Sequence, residues 1–211
     1  MFSTRQHALG AALSGLVLAL GASTAGAQDS PFTNKKTAEC FSCHAMDPAQ
    51  LGAPRHPPPK IAGQDADYLA GALLDYRDAQ RNHYLMNSPA SMIPEDALRA
   101  LTEYVEGISA DQLPRRALPV SDPAARARGA QLAADRCGVC HTTENTGSAG
   151  SGIPSLNGQY AAYILVTLQD YRLGVRRDAA MQDAAAALND RQMADLAVFY
   201  ESLTGLLPAR P

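Results

Sequence analysis

The sequence of 211 residues lacks a strong net charge, alternating strand patterns and long apolar runs, three features that mark common classes of protein. Its formal net charge is only −3, so it lacks the basic surplus that is typical of nucleic-acid-binding proteins. No segment alternates apolar and polar residues with a period of two, which argues against half-buried strands. Apart from residues 8–20, no run is apolar and long enough to suggest a membrane span. What remains is the pattern of an all-α protein.

The N-terminal segment has the layout of a secretory signal. Arg5 and His7 form a short basic region, residues 8–20 are almost wholly apolar, and small residues follow up to Ala27. The apolar core is shorter than the roughly 20 residues of a spanning helix, although an uncleaved N-terminal anchor is the alternative. We therefore expect cleavage after Ala27, a mature chain that begins at Gln28, and a location in the periplasm.

The four cysteines all lie in two copies of one pentapeptide, C-x-x-C-H, at residues 40–44 and 137–141. On a helical turn, two thiols at this spacing can bond the two vinyl groups of one porphyrin while the next residue, a histidine, meets the iron. Paired cysteines of a zinc site usually lie about 15–20 residues apart. Disulfides, which the periplasm favours, would explain the thiols but neither histidine. The motifs predict two covalently bound haem c groups, attached at Cys40, Cys43, Cys137 and Cys140.

The second half of the chain repeats the first. Residues 61–81 align without gaps on residues 156–176 with nine identities. Two copies of this length indicate duplicated domains rather than a solenoid. We assign a signal to residues 1–27, domains to 28–108 and 121–211, and a proline-containing linker to 109–120. The predicted fold class is all-α, with two tandem domains related by internal duplication.

Each unit is predicted to contain three helices. The first carries the pentapeptide and covers residues 34–41 or 123–137, with Ser121 or Asp122 as the cap of the second copy and Pro123 at its first position. An amphipathic helix follows at 65–81 or 160–176. A methionine-bearing loop then leads to a last helix at 95–107 or 190–203.

The axial ligands of the two irons are predicted from the same repeat. His44 and His141 follow the second cysteine of each motif and provide one ligand. Met86 and Met181 lie at equivalent positions, 95 residues apart, and a thioether ligand suits electron transfer because it raises the haem potential. A single methionine more often packs in a hydrophobic core, but two methionines at equivalent positions of a haem-binding repeat favour ligation of the irons. His83 competes with Met86, yet the same offset places an aspartate at the equivalent of His83.

Other aligned residues could support the haems. Pro59 and Pro154 fall between the motif and the amphipathic helix. A metal-bound imidazole usually donates its other N–H to an acceptor, and a backbone carbonyl at these prolines is a candidate, with loop stiffening as the alternative. Haem propionates could pair with Arg77, Arg81, Arg172 and Arg176, unless these arginines simply face solvent. The haem pockets could be walled by Tyr68, Tyr76, Tyr163 and Tyr171, unless these are ordinary core tyrosines.

These motifs, in this order, resemble the cytochrome c4 family over essentially the whole mature chain. The residues that carry the resemblance are the two C-x-x-C-H units, the proline loops, a Gly-Gln-x-x-x-Tyr helix start, a D-Y-R segment and the paired methionines. The resemblance implies a class I cytochrome c fold in each half, with the haems near each other. The first copy departs from the family at Ile93-Pro94-Glu95, where members often carry Leu-Ser-Asp.

The function that the resemblance implies is electron transfer in the periplasm. Its expected partners are a respiratory donor complex and a terminal oxidase, and peripheral association with the membrane is compatible with this role. Because protein side chains fill both iron positions, no place is left for a substrate, and we expect a carrier rather than an enzyme. The alternative is the electron-accepting cytochrome subunit of a periplasmic dehydrogenase that oxidises sulfur compounds or alcohols.

Overall fold

Helices account for the regular structure in the part of the chain that the computed structural model describes, which is residues 35, 37–46, 55–108, 122–142 and 152–206. These residues contain no strand, which confirms the all-α prediction. The helices are α1 (Ala38–His44), α2 (Ala66–Arg77), α3 (Asn87–Ser91), α4 (Glu95–Glu106), α5 (Pro123–Arg136), α6 (Ala161–Arg172), α7 (Ala179–Ala186) and α8 (Asp190–Glu201). The predicted signal, its cleavage point and the linker lie outside the described residues.

The duplication is visible in the helix bounds. An offset of 95 residues carries α2 onto α6 and α4 onto α8, with both ends of each helix in register. Within the first unit, α2 packs on α3 and α4; within the second, α6 packs on α7 and α8, and α5 packs on α8. The chain thus forms two tandem helical units of the same design.

Each unit has its own apolar core. The core of the first unit centres on Phe41, Val105 and Ile108, which α1 and α4 bring together with Ala45 and Ala62. The second core is larger and is built mainly from α6 and α8. Its members include Ile164, Leu168, Tyr171, Met193, Leu196, Phe199 and Tyr200. Both motif cysteines that come first, Cys40 and Cys137, pack against the core of their own unit.

The helix starts follow the caps in the sequence. The Asp122 carboxylate accepts from the amides of Ala124 and Ala125 at 3.0 and 2.9 Å, and Pro123 fills the first turn of α5 as predicted. At the start of α8, Asn189 and Gln192 form a capping box. The corresponding start of α4 follows Pro94 without a side-chain cap, as its sequence indicates.

The amphipathic helices end four residues earlier than the sequence predicts, at Arg77 and Arg172 rather than at residues 81 and 176. The cause is a left-handed residue just beyond each end, Ala79 at φ 54° and Gly174 at φ 70°. Such a residue stops a helix and reverses the chain direction. The predicted helix ends were based on the spacing of apolar residues, and this spacing does not reveal where a single left-handed residue ends a helix.

Two further predictions about local structure are wrong. The methionine-bearing segments are not simple loops, since α3 follows Met86 directly and α7 contains Met181. The alanine-rich stretch of α7 has high helix propensity, and the Asp178 carboxylate caps it by accepting from the Met181 amide at 2.9 Å. The first motif helix, predicted at 34–41, instead runs through the pentapeptide to His44.

Candidate haem centres

The first C-x-x-C-H motif lies on the last turns of α1. Cys40 is half-buried and Cys43 is exposed, and both are free thiols. His44 Nδ1 lies 2.8 Å from the carbonyl oxygen of Pro59. A carbonyl can only accept, so Nδ1 carries the proton and Nε2 keeps its lone pair. Burial lowers the pKa of His44, and the neutral imidazole is the form that binds iron.

The second motif repeats this geometry just after α5. Cys137 caps the helix, and the His141 amide donates to the Cys137 carbonyl at 2.8 Å, which closes one further helical turn. His141 Nδ1 lies 2.9 Å from the carbonyl oxygen of Pro154, and burial again lowers the pKa of the histidine. The predicted contact between a proline carbonyl and the motif histidine is therefore confirmed in both units.

These residues fit a covalently attached haem. Each unit supplies two free thiols on one turn and a neutral imidazole whose ring orientation is fixed by a half-buried backbone carbonyl. Burial raises the pKa of the Cys40 and Cys137 thiols. The donor set and its spacing match a c-type haem in both places.

The methionines fall into two groups. Met86 and Met181 are both half-buried, at the start of α3 and inside α7. Met193 is fully buried in the second core, whereas the side chain of Met92 is 68% exposed. Met193 therefore belongs to the packing of the second core, and Met92 lies on the surface. Ligation by Met86 and Met181 stays a prediction.

Two arginines cross from one unit to the other. Arg81 donates to the Tyr163 hydroxyl at 2.9 Å, and Arg176 donates to the Tyr68 hydroxyl at 2.8 Å. Under the 95-residue offset these two contacts are the same contact with the units exchanged. The early ends of α2 and α6 make this possible, because each arginine stands on the reversed segment that follows the helix.

The environment of these arginines is positive. Each guanidinium lies over a tyrosine ring of its own unit, Arg81 at 4.6 Å from the centre of Tyr76 and Arg176 at 4.8 Å from that of Tyr171. Within the described residues neither arginine forms an ion pair with a carboxylate. Burial opposes the ionisation of Tyr163, but the two guanidiniums outweigh it and lower the pKa of its hydroxyl to about 7. The two guanidiniums therefore favour an anion at the position of the Tyr163 hydroxyl.

The other two arginines of the repeat have carboxylate partners. Arg77 lies 3.1 Å from the Glu95 carboxylate, and Arg172 lies 2.7 Å from that of Asp190. Both acidic residues stand at the first position of the last helix of their unit. These pairs tie the amphipathic helix to the last helix, so Arg81 and Arg176 are the better candidates for haem propionates.

His83 was the competing ligand for the first iron, and its ring lies among other aromatic rings, including that of Tyr76 at 6.4 Å between centres. Its ring stacks on Tyr84 at 5.5 Å between centres and meets the edge of His56 at 5.8 Å. His56 in turn lies 3.6 Å from the Asp170 carboxylate of the second unit. Burial lowers the pKa of His83, which keeps its ring neutral.

No helix in the described ranges has both the length and the apolar character needed to cross a bilayer. The comparisons with known proteins concern the units themselves. Residues 126–204 match the family model described as Cytochrome c. A cytochrome c4 of Pseudomonas aeruginosa is 29% identical over 203 residues, which cover 90% of this chain and 93% of that protein.

Two further relatives are informative. The crystal structure of reduced recombinant cytochrome c4 from Pseudomonas stutzeri matches with a TM-score of 0.64 at 26% identity, covering 80% of this chain and 95% of the other. A thiosulfate dehydrogenase electron acceptor of Stutzerimonas stutzeri is 27% identical over 181 residues, 81% of each protein. The similarity thus extends over both units rather than over one motif.

Proposed function

The chain belongs to the cytochrome c4 family of di-haem c-type cytochromes, and we propose that it carries electrons in the periplasm from a respiratory donor complex to a terminal oxidase. The observation that carries this proposal is the doubled motif geometry, in which a proline carbonyl holds a neutral histidine beside two free thiols.

The chain's own residues hold and orient the two haem c groups. We assign covalent attachment to Cys40, Cys43, Cys137 and Cys140, and axial ligation to His44, Met86, His141 and Met181. Each haem, when bound, supplies an iron that accepts and releases one electron. Because two protein side chains occupy the axial positions in this assignment, no site is left for a substrate to coordinate.

Arg81 and Arg176 are proposed to neutralise haem propionates at the junction of the units. Both arginines are half-buried, and within the described residues neither has a carboxylate partner. A cation that is partly withdrawn from water is stabilised by an anion, and a bidentate contact between guanidinium and carboxylate is the strongest pairing available. The propionates would satisfy both arginines without any further ligand.

A redox titration followed by optical absorption tests the carrier function directly. The purified protein should show two low-spin haems, each with a far-red sulfur-to-iron charge-transfer band in the oxidised state. The reduced protein should bind carbon monoxide slowly at neutral pH, because both sixth positions are filled. Fast, stoichiometric binding of carbon monoxide would indicate an open iron and contradict the proposal.

A second candidate function is that of an electron-accepting subunit for a dehydrogenase of sulfur compounds. The similarity to a protein named thiosulfate dehydrogenase electron acceptor favours it. The two roles differ in the electron donor, so the oxidised protein should be mixed with a thiosulfate dehydrogenase and thiosulfate, or with respiratory membranes and a quinol. Faster haem reduction by the membranes supports the respiratory role, whereas faster reduction by the dehydrogenase supports the subunit role.

The periplasmic location is proposed from the N-terminal segment of the sequence, residues 1–27. Intact-mass spectrometry of the protein from a periplasmic extract should give the mass of residues 28–211 plus two haems. A chain that retains Met1, or that carries one haem, would contradict this part of the proposal.

A further inference from the structure

Two glutamines reach across the junction and bind the backbone of the opposite unit. The Gln159 side chain accepts from the Lys60 amide and donates to the Lys60 carbonyl, both at 2.9 Å. The Gln64 side chain does the same at Ser155, accepting at 2.8 Å and donating at 3.0 Å. Both glutamines are 3% exposed, so these bonds form away from water.

The peptide that each glutamine binds is the one that orients the motif histidine. The carbonyl of Pro59 accepts from His44, and the amide of the same peptide unit is the Lys60 N–H that donates to Gln159. One continuous series therefore runs from the imidazole through a single peptide group to a glutamine of the other unit.

The second unit contains the same series with the units exchanged. The Pro154 carbonyl accepts from His141, and the Ser155 amide on that peptide donates to Gln64. Neither glutamine is connected in this way to the histidine of its own unit. In both units, the peptide that orients the histidine is bound by the glutamine of the other unit.

The local backbone fixes each glutamine for this contact. Gly63 and Gly158 precede the glutamines in the left-handed conformation, at φ 78° and 74°, which residues with a side chain rarely adopt. The Gly158 amide donates to the Tyr200 carbonyl at 2.7 Å, which ties the turn to α8. Each side-chain oxygen also accepts from the amide of the next residue at 3.0 Å. The side chain is thus held from its own unit while it binds the other.

Hydrogen bonds in series polarise one another, more so in a buried environment. An acceptor on the amide N–H makes the carbonyl of that peptide a stronger acceptor. A stronger acceptor at Nδ1–H makes the imidazole a better electron donor to its metal. A better donor stabilises ferric iron and lowers the reduction potential.

We propose that Gln159 and Gln64 are positioning residues that act across the junction. Each tunes the reduction potential of the haem in the opposite unit, through the peptide that orients the axial histidine of that haem. This inference rests on the haem ligation assigned under the proposed function. Because the glutamine of one unit acts on the iron of the other, the docking of the two units becomes part of what sets each potential.

The test needs the potential of one haem at a time, and the full haem-loaded chain allows this. In a Met181→Ala background, the far-red charge-transfer band should come from the first haem alone, so titrating that band gives its potential. The Met86→Ala background isolates the second haem in the same way. If the band of the oxidised Met181→Ala protein is undiminished, the ligand assignment fails, and that failure is distinct from a failure of the inference.

In the Met181→Ala background, Gln159→Leu should shift the reduction equilibrium of the first haem about threefold towards the reduced form. For a one-electron couple this is about 28 mV, from 59 mV per tenfold change. Gln64→Leu should leave this haem nearly unchanged but should shift the second haem in the Met86→Ala background. An uncrossed pattern, in which each glutamine affects the haem of its own unit, would overturn the inference.

Two further variants separate tuning from loss of packing. Gln159→Glu keeps an acceptor for the Lys60 amide, so the potential of the first haem should not rise, whereas a rise equal to that of Gln159→Leu would overturn the inference. Gln131→Leu is the surface control, since Gln131 is exposed and its side chain donates to the Asp135 carboxylate of the same helix rather than to the other unit. If Gln159→Leu fails to accumulate, Gln159→Glu is compared with the parent protein alone, and any rise in the potential of the first haem would overturn the inference.

A spectroscopic readout reports the same series without a potential. In the reduced, diamagnetic protein, the His44 Nδ1–H proton resonance should move upfield in Gln159→Leu, because its hydrogen bond weakens. The His141 resonance should stay in place. Equal movement of both resonances, or movement of neither, would overturn the inference.

Discussion

Replacing Gly129 with alanine should disrupt the packing of the helix that delivers the second haem motif. Gly129 lies where α5 crosses α8, and a Cβ atom added to it would stand 2.1 Å from the Asp195 carbonyl oxygen. The same atom would lie 2.7 Å from the Asp195 carbonyl carbon and from Phe199 Cβ. Real Cβ atoms do not approach other atoms this closely. Two of the three obstacles belong to backbone, so the helices themselves must separate by about 1 Å.

The expected cost is at the upper end of the range for overpacked cores, about 3 kcal/mol or more. For a unit of this size, that corresponds to a melting temperature lower by at least about 12 °C. The assay is thermal unfolding of the haem-loaded chain, followed by far-ultraviolet circular dichroism and by haem absorption. The haem absorption of the second unit should change together with the helix signal, because α5 leads directly into Cys137.

Gly71→Ala is the matched control. Gly71 lies inside α2, and a Cβ atom there would meet nothing within 4 Å. The same substitution should therefore stabilise the first unit by up to about 1 kcal/mol through helix propensity. A Gly129→Ala protein that melts no lower than the parent would refute the close crossing of α5 and α8. An equal loss in Gly71→Ala would show that the effect is not one of packing.

Three other predictions concern separate parts of the structure. Met86→Ala should abolish the far-red charge-transfer band of the first haem and lower its potential, whereas His83→Ala should leave both bands in place; the opposite result would contradict the ligand assignment. Ala79→Gly should raise the free energy of unfolding by about 1 kcal/mol, since glycine adopts the left-handed φ of 54° without strain, and a lower value would contradict it. Hydrogen bonds from Arg128 lower the pKa of Asp195, so this pair stabilises the protein at neutral pH and the contribution is lost as the pH falls below about 4. Asp195→Asn should therefore weaken the acid dependence of a urea melt, and an unchanged dependence would show that the pair does not matter.

The sequence predicts the repeated design well because repetition supplies an internal alignment. The 95-residue offset identifies Pro59 and Pro154 as equivalent, and both carbonyls meet the motif histidines as expected. The caps at Asp122 and Asn189 follow from short-range chemistry that needs no tertiary information. Features that are local or repeated can be predicted from one chain.

The features that the sequence does not predict depend on a single backbone torsion or on contacts between the units. Past Arg77 only Ala79 extends the apolar stripe, and nothing in its residue type signals a left-handed conformation. The repeat aligns Gly63-Gln64 with the identical pair Gly158-Gln159, and this identity is the sequence feature that points to a shared role for the two glutamines. The repeat shows that these residues are equivalent, but it does not show that each binds the other unit.

The contacts between the units have the reciprocal form of an isologous dimer interface, in which residue i of one copy meets residue j of the other and the reverse also holds. Gln64 binds Ser155 as Gln159 binds Lys60, and each member of one pair is the repeat equivalent of the corresponding member of the other. If all contacts between the units were reciprocal in this way, the environments of the two haems would be alike.

One position breaks this equivalence. At the equivalent of Ser155 the first unit has Lys60, whose ammonium group donates to the Gly158 carbonyl and lies 4.6 Å from the ring centre of Tyr160. Lys60 is buried, and it directly follows the proline that orients His44. A buried positive charge disfavours ferric iron nearby, while the serine of the other unit carries no charge. The two units therefore share one hydrogen-bonding scheme but differ by one buried positive charge at their junction, and such a difference would let the two haems have different potentials.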